Sequence, residues 1–224
     1  METMRAVVLE GFGAEPALRS VPRPVPGPGE VLVRVASSGV NPLDIKIKAG
    51  AAAHARVTPP MILGIDLAGT VAGVGDGVTR FAVGDEVYGM TGGVGDRPGS
   101  LAEYAAVDQD LLARKPERLS MAEASALPLA VITAWEGLVD RANTREGQLV
   151  LVHGGAGGVG HVAVQLALAR GATVFATGTG ASLDTIRRLG AEPIDYRATP
   201  TDAYVASATG GEGFDVILDR KSVV

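Results

Sequence analysis

The run Gln148-Leu149-Val150-Leu151-Val152-His153 leads straight into Gly154-Gly155-Ala156-Gly157-Gly158-Val159-Gly160. Its first six residues have the composition of a buried strand, and after the glycines Val162, Leu166 and Ala169 recur at helical spacing over 159–170. The order is therefore strand, glycine turn, helix. Gly155, Gly157 and Gly160 satisfy a G-x-G-x-x-G spacing. One glycine permits the sharp turn, the next removes a side chain where a pyrophosphate must approach, and the last lets helix and strand pack closely. Amides at the helix N-terminus then face the phosphate charge. Gly155, Ala156, Gly157, Gly158, Val159 and Gly160 are thus expected to hold a dinucleotide.

Strand and helix patterns continue to alternate beyond this turn, over 173–177, 182–189, 193–195, 201–208 and 214–218. Such alternation implies right-handed βαβ units and a parallel sheet. Upstream, Ser120-Met121-Ala122-Glu123 has capping-box spacing, and the segment to about Arg141 is helical in composition with a break at Pro128. Before that the texture is that of short strands and turns. Residues 5–9 and 30–36 are apolar runs, 20–30 holds four prolines and reads as an extended surface connection, and 62–90 is a series of short runs separated by glycines. The expected class is α/β: a β-rich domain over 1–120, then a doubly wound parallel domain over 121–219.

Composition narrows the partners. The 224 residues include 31 Gly, 13 Pro and no Cys, with 46% hydrophobic residues, 4% aromatics and a formal charge of −5. That apolar content fills a core, an aliphatic one, and excludes a disordered or disulfide-stapled chain. A net acidic chain lacks the basic surface that nucleic acid or an anionic membrane requires. Acids among the first ten residues and no long apolar run argue against a signal peptide or a membrane span, so a cytoplasmic protein is expected. The absence of cysteine removes thiolate nucleophiles and thiolate metal sites. His54, His153 and His161 have no paired spacing and read as surface or packing residues, so no metal site is expected.

NAD-selective sites place an acid about 20 residues after the glycines, where it accepts from the adenosine ribose. Here the strand ends Thr177-Gly178-Thr179-Gly180-Ala181-Ser182, with no acid before Asp184. That opening favours NADP(H). Arg187, Arg188 or Arg197 could clamp a 2′-phosphate, or could simply be solvated.

Seven stretches in order carry a family resemblance: Pro26-Gly27-Pro28-Gly29-Glu30, Gly39-Val40-Asn41-Pro42-Leu43-Asp44, Leu63-Gly64-Ile65-Asp66-Leu67-Ala68-Gly69, Val83-Gly84-Asp85-Glu86-Val87-Tyr88-Gly89, Leu127-Pro128 with Thr133-Ala134, the glycine turn, and Leu189-Gly190-Ala191 with Ile194-Asp195-Tyr196-Arg197. Together they resemble the medium-chain dehydrogenase/reductases, and within them the zinc-free quinone oxidoreductase and enoyl reductase branch. The resemblance implies a GroES-like catalytic domain followed by a Rossmann domain, with the nicotinamide in the cleft between. Zinc-dependent relatives carry Cys at the place of Asn41 and Gly-His-Glu at that of Gly64-Ile65-Asp66, so the usual zinc ligands are missing.

The resemblance also implies site residues. Asn41 and Asp44 lie on a loop flanking the nicotinamide; Asn41 would hydrogen-bond substrate or cofactor, while Asp44 would share that role or only cap its turn. Lys46 stands where some relatives have Tyr, and is either a donor to a developing oxyanion or, as favoured, a solvated cation. Thr133 would orient the carboxamide, Thr177 lies at the strand end, and Ser182 and Tyr196 resemble 2′-phosphate positions, although the Lys that often follows that serine is replaced by Leu183. The implied reaction is zinc-free hydride transfer from NADPH to a small electrophile, a quinone or an α,β-unsaturated carbonyl. The alternative is a non-catalytic nucleotide-binding protein, or an inactive fragment, that keeps the fold. The Rossmann domain reads as incomplete: two strands, on the order of 60 residues at about 30 per βαβ unit, are missing. Residues 220–224 read as an anomalous tail, and a homodimer is expected of the full-length form.

Overall fold

The computed structural model describes residues 2–219; the tail 220–224 lies outside them. The chain divides after Leu129 into two compact units.

The first unit holds two sheets. Strands β1 (Thr3–Leu9), β2 (Ala17–Pro22), β3 (Glu30–Gly39), β4 (Met61–Ile62), β5 (Asp66–Val74), β6 (Glu86–Met90), β7 (Tyr104–Asp108) and β8 (Ala113–Arg114) form a three-stranded sheet β2-β1-β4 and a five-stranded sheet β7-β3-β5-β6-β8. Every pairing in them is antiparallel. The proline-rich connection begins as expected on an edge: Ser20–Pro22 complete β2, which pairs only with β1, so the missing amide of Pro22 disrupts no central ladder. Val31, Val33, Leu67, Val71, Val87 and Val107 are buried together in the five-stranded sheet. A second cluster unites Leu9, Ile47, Leu63 and Ile65.

Helix α1 (Pro42–Lys48) corrects one expectation, because the resemblance implied a loop at Asn41 and Asp44. The local chemistry explains the helix. Asn41 is an extended N-cap, Pro42 opens the first turn, and Asp44 Oδ2 reaches back to accept from the Asn41 amide at 2.7 Å. Helix α2 (Met121–Ser125) has the full reciprocal cap, Glu123 N–H donating to Ser120 Oγ and Ser120 N–H to Glu123 Oε2. It stays with the first unit. Its Ser125 hydroxyl donates to Ser37 Oγ, and Gly39 leaves the room that Ser125 O occupies, so the packing division falls later than the change of sequence texture at Ser120.

The second unit begins within helix α3 (Pro128–Trp135), whose end widens into a π-helical turn, Glu136–Arg141. Trp135, the chain's single tryptophan, stands half in solvent with its indole N–H donating to Asp140 Oδ1 at 3.1 Å. Then follow β9 (Leu149–Val152), α4 (Gly160–Ala169), β10 (Thr173–Gly178), α5 (Ala181–Arg188), β11 (Glu192–Asp195), α6 (Thr201–Thr209) and β12 (Val216–Leu218). The order β11-β10-β9-β12 is parallel throughout, the first four strands of a doubly wound 3-2-1-4 arrangement. Alternate residues of β9 serve opposite faces. Val150 and Val152 pack with Val159, Ala163 and Val164, whereas Leu151 packs with Ile194 and Tyr204. No helix among the described residues is long and apolar enough to cross a membrane.

Candidate functional site

In the second unit the glycine turn is built by backbone contacts. Gly154 takes φ +68°, its amide donates to Thr177 Oγ1 at 3.0 Å, and the Gly155 amide donates to Thr177 O at 3.0 Å. Thr177 is buried, so its hydroxyl holds the turn from behind. His153 Nδ1 lies 3.3 Å from the same oxygen, and His161 Nδ1 lies 3.0 Å from Gly157 O. Two glycines are demanded by packing: a Cβ on Gly155 would stand 2.5 Å from Ala176 Cβ, and one on Gly160 would press on Gly154 O. Gly158 differs. A Cβ there would meet nothing within 4 Å, so the protein itself does not require that glycine. Helix α4 starts after Val159 with no side-chain cap; its His161 amide donates to Gly157 O at 3.0 Å, and the Gly160 amide before it is placed for a ligand. The cradle fits a dinucleotide pyrophosphate.

The strand end beyond it is closed to an acid at one place, since a Cβ on Gly178 would stand 2.5 Å from Ser182 Oγ. Ser182 Oγ accepts from the Thr179 amide at 2.7 Å and donates to Thr179 O at 2.6 Å. Tyr196 is 54% exposed. Of the three arginines, Arg187 pairs with Asp184 at 2.7 Å, Arg188 donates to Thr185 Oγ1, and the Arg197 guanidinium has no partner among the described residues. Thr133 lies half-buried on α3.

In the first unit a carboxylate that sequence reasoning did not single out forms the centre. Asp66 is fully buried at the start of β5. Gly64, at φ +104°, packs so closely against Ser100 and Leu101 that a Cβ would stand 2.7 Å from Ser100 Oγ, and this turn delivers Ile65 and Asp66 inward. Asp66 Oδ2 accepts from Asn41 Nδ2 at 3.0 Å, and both its oxygens accept from the Leu129 amide, at 3.1 and 3.2 Å. The Ser38 and Ser100 hydroxyls donate to Asp66 O. Burial pushes the Asp66 carboxyl up to about 6, against the opposing hydrogen bonds from Asn41 and Leu129 and with help from the Asp44 charge. Asp44 is pushed up too, chiefly by burial, while the amides of Asn41 and Gly64 and its own amide favour its charge. Asp44 Oδ1 is buried without a hydrogen-bond partner.

The structure thus brings Asn41 and Asp44 together with Asp66. Lys46, two residues on, is half-buried and its ammonium makes no ion pair among the described residues. The only sequence signal for Asp66 was an acid inside the apolar run 62–68. Where zinc relatives place a histidine this chain has Ile65, fully buried in the apolar cluster with Leu9 and Ile47, and the cysteine place carries the neutral amide of Asn41. That donor set does not fit zinc. Among the described residues no three His, Cys, Asp or Glu side chains gather as for a metal ion.

Residues 27–117 match the family model of the alcohol dehydrogenase GroES-like domain, and residues 158–222 that of the zinc-binding dehydrogenase. The chain is 57% identical to an alcohol dehydrogenase superfamily protein from Novosphingobium aromaticivorans, whose crystal structure superposes with a TM-score of 0.93 over 96% of this chain and 65% of that one. A quinone oxidoreductase from Coxiella burnetii is 34% identical with a TM-score of 0.80, covering 89% of this chain and 64% of that one. The 2-methylene-furan-3-one reductase of Solanum lycopersicum is 43% identical over 174 residues, which make up 75% of this chain and 45% of that protein. The chain belongs to the medium-chain dehydrogenase/reductase superfamily, a family of oxidoreductases. It spans less than two thirds of the length of each of these relatives. Membership supports a nicotinamide cofactor.

Proposed function

We propose that the full-length protein is an NADPH-dependent oxidoreductase that reduces a quinone or an α,β-unsaturated carbonyl without zinc. One observation carries the reading: at the two places where zinc relatives supply Cys and His, this chain has an amide hydrogen-bonded to a buried carboxylate and an apolar core side chain. An electrophile that accepts hydride without a Lewis acid suits that site. The similarity to a quinone oxidoreductase and to a furanone reductase points the same way.

The glycine turn and the Gly160 amide of α4 would hold the pyrophosphate, with Gly158 leaving room for it. The acid-free strand end, with Ser182, Tyr196 and Arg197, whose guanidinium has no partner among the described residues, supports the 2′-phosphate form. When bound, the nicotinamide supplies the hydride. Asn41 would orient its ligand, and Asp44 fixes the Asn41 backbone by accepting its amide proton; in the second unit Thr133 is the candidate for the carboxamide. Lys46, half-buried and with no ion pair among the described residues, is the candidate donor to a developing oxyanion nearest these residues in sequence. A homodimer is part of the proposal for the full-length form.

Calorimetric titration of the full-length protein with NADPH and NADH, followed by turnover on a panel of quinones and enones, tests the reading. Binding of NADPH at least tenfold tighter than NADH, with turnover on either class, is the expected result. Absence of NADPH binding would overturn it. Tight binding without turnover on any member of the panel would favour a non-catalytic nucleotide-binding protein.

A further inference from the structure

The Asn41 carboxamide has two rotamers of nearly equal shape, and they present opposite chemistry. With its nitrogen toward Asp66, Nδ2 donates to Oδ2 at 3.0 Å, and Asn41 Oδ1 lies on the helix side of the cap, toward the Asp44 amide, whose proton goes to Asn41 O at 3.0 Å. Rotated by half a turn, the amide oxygen would face the carboxylate oxygen, two acceptors at hydrogen-bond distance. Asp66 itself is not free to move. It is fully buried, both of its oxygens accept from the Leu129 amide, and its carbonyl accepts from the Ser38 and Ser100 hydroxyls.

We propose that Asp66 is a positioning residue that locks the Asn41 carboxamide in one rotamer, so that Asn41 offers its ligand an oxygen acceptor at a fixed place. This rests on the reading of Asn41 as a group that meets substrate or cofactor. It sharpens that reading into a chemical class: the group Asn41 Oδ1 receives is a hydrogen-bond donor, such as a ribose hydroxyl or an amide N–H. A quinone carbonyl has no proton to give and is not what that oxygen binds. The arrangement replaces the metal of the zinc-dependent branch with a neutral amide whose direction is set by a buried anion.

Asp66→Asn tests the lock at constant volume. A neutral amide both donates and accepts, so either Asn41 rotamer becomes tolerable. In full-length protein assayed with NADPH and a 1,4-naphthoquinone, kcat should fall about tenfold, the effect of one misdirected hydrogen bond, with KM for NADPH changed less than twofold. In an Asn41→Ala background the same substitution should change kcat less than twofold, because there is no carboxamide left to orient. Losses that multiply would overturn the proposal. An Asn41→Ala protein with the wild-type rate would instead overturn the reading of Asn41 beneath it. A readout without turnover uses the wild type alone: nitrogen-15 NMR should find one Asn41 side-chain amide proton shifted downfield and slow to exchange. Two rapidly exchanging amide protons would sink the lock whether or not the variant folds or the quinone is reduced.

Discussion

The glycine turn of the second unit and the Asp66 cluster of the first are both candidate ligand sites, yet they are made from opposite materials. The turn consists of main chain: amides, carbonyls and the space left by missing side chains. The cluster consists of side chains, two buried carboxylates and one amide, brought from residues 41, 44 and 66 to meet the amide of residue 129. A main-chain site tolerates no added atom where it packs. A carboxylate site is sensitive to charge rather than to volume, since removing water from an acid costs more than reshaping it.

The largest effect expected from this contrast falls on the turn. Gly160→Val would drive a branched side chain onto Gly154 O and should lower the unfolding free energy by about 3 kcal/mol in a denaturant titration, with loss of cofactor binding. Next comes charge. The folded Asp66 carboxyl sits at about 6 against an ordinary 3.8, so the folded state holds its proton more tightly than the unfolded one. That contribution is full below about pH 4 and is lost as pH rises through about 6. Relative to Asp66→Asn, the wild type should lose about 2 kcal/mol of stability between pH 4 and pH 7, measured by urea unfolding at both values. A flat difference would mean that folding does not raise the carboxyl above its ordinary value.

Gly158→Ala sharpens the contrast within the turn itself. The added methyl meets nothing, so stability should stay within about 0.5 kcal/mol, while NADPH affinity falls about tenfold in calorimetry because the methyl occupies the phosphate approach. Ser120→Ala removes the α2 cap, whose bonds involve neither Asn41, Asp44 nor Asp66, and should cost about 1 kcal/mol without altering NADPH affinity. Lys46→Gln should change stability by less than about 0.5 kcal/mol, because the ammonium makes no ion pair among the described residues. Its effect on kcat with a quinone separates a proton donor, at tenfold or more, from a solvated cation, at less than threefold.

The same contrast explains what the sequence made legible. A turn of main chain is specified by neighbouring residues, so Gly154 to Gly160, the strand before it and the helix after it were readable locally. The break at Pro128 and the cap at Ser120 are equally local. The resemblance implies a loop at Asn41 and Asp44, yet Asn41, Pro42 and Asp44 are the N-cap, first-turn and N3 residues of α1 in the right order, a signal carried by the residues themselves. Asp66 was legible only as an exception in an apolar run. Its partners Asn41 and Leu129 lie 25 and 63 positions away, and tertiary folding alone brings them together. The local partners of Thr177 and Ser182 were not legible either: Thr177 Oγ1 accepts from the Gly154 amide and Ser182 Oγ from the Thr179 amide.

The indole on the π-helical turn carries an optical consequence. Because Trp135 is the chain's one tryptophan and belongs to the second unit, emission excited at long ultraviolet wavelengths reports on that unit alone. Its bond to Asp140 is half in solvent, so loosening of the turn would shift the emission to the red without any label being introduced. A reduced nicotinamide absorbs where that indole emits. The protein therefore comes with its own donor for following dinucleotide binding by energy transfer, blind to events in the Asp66 cluster that leave the second unit unchanged.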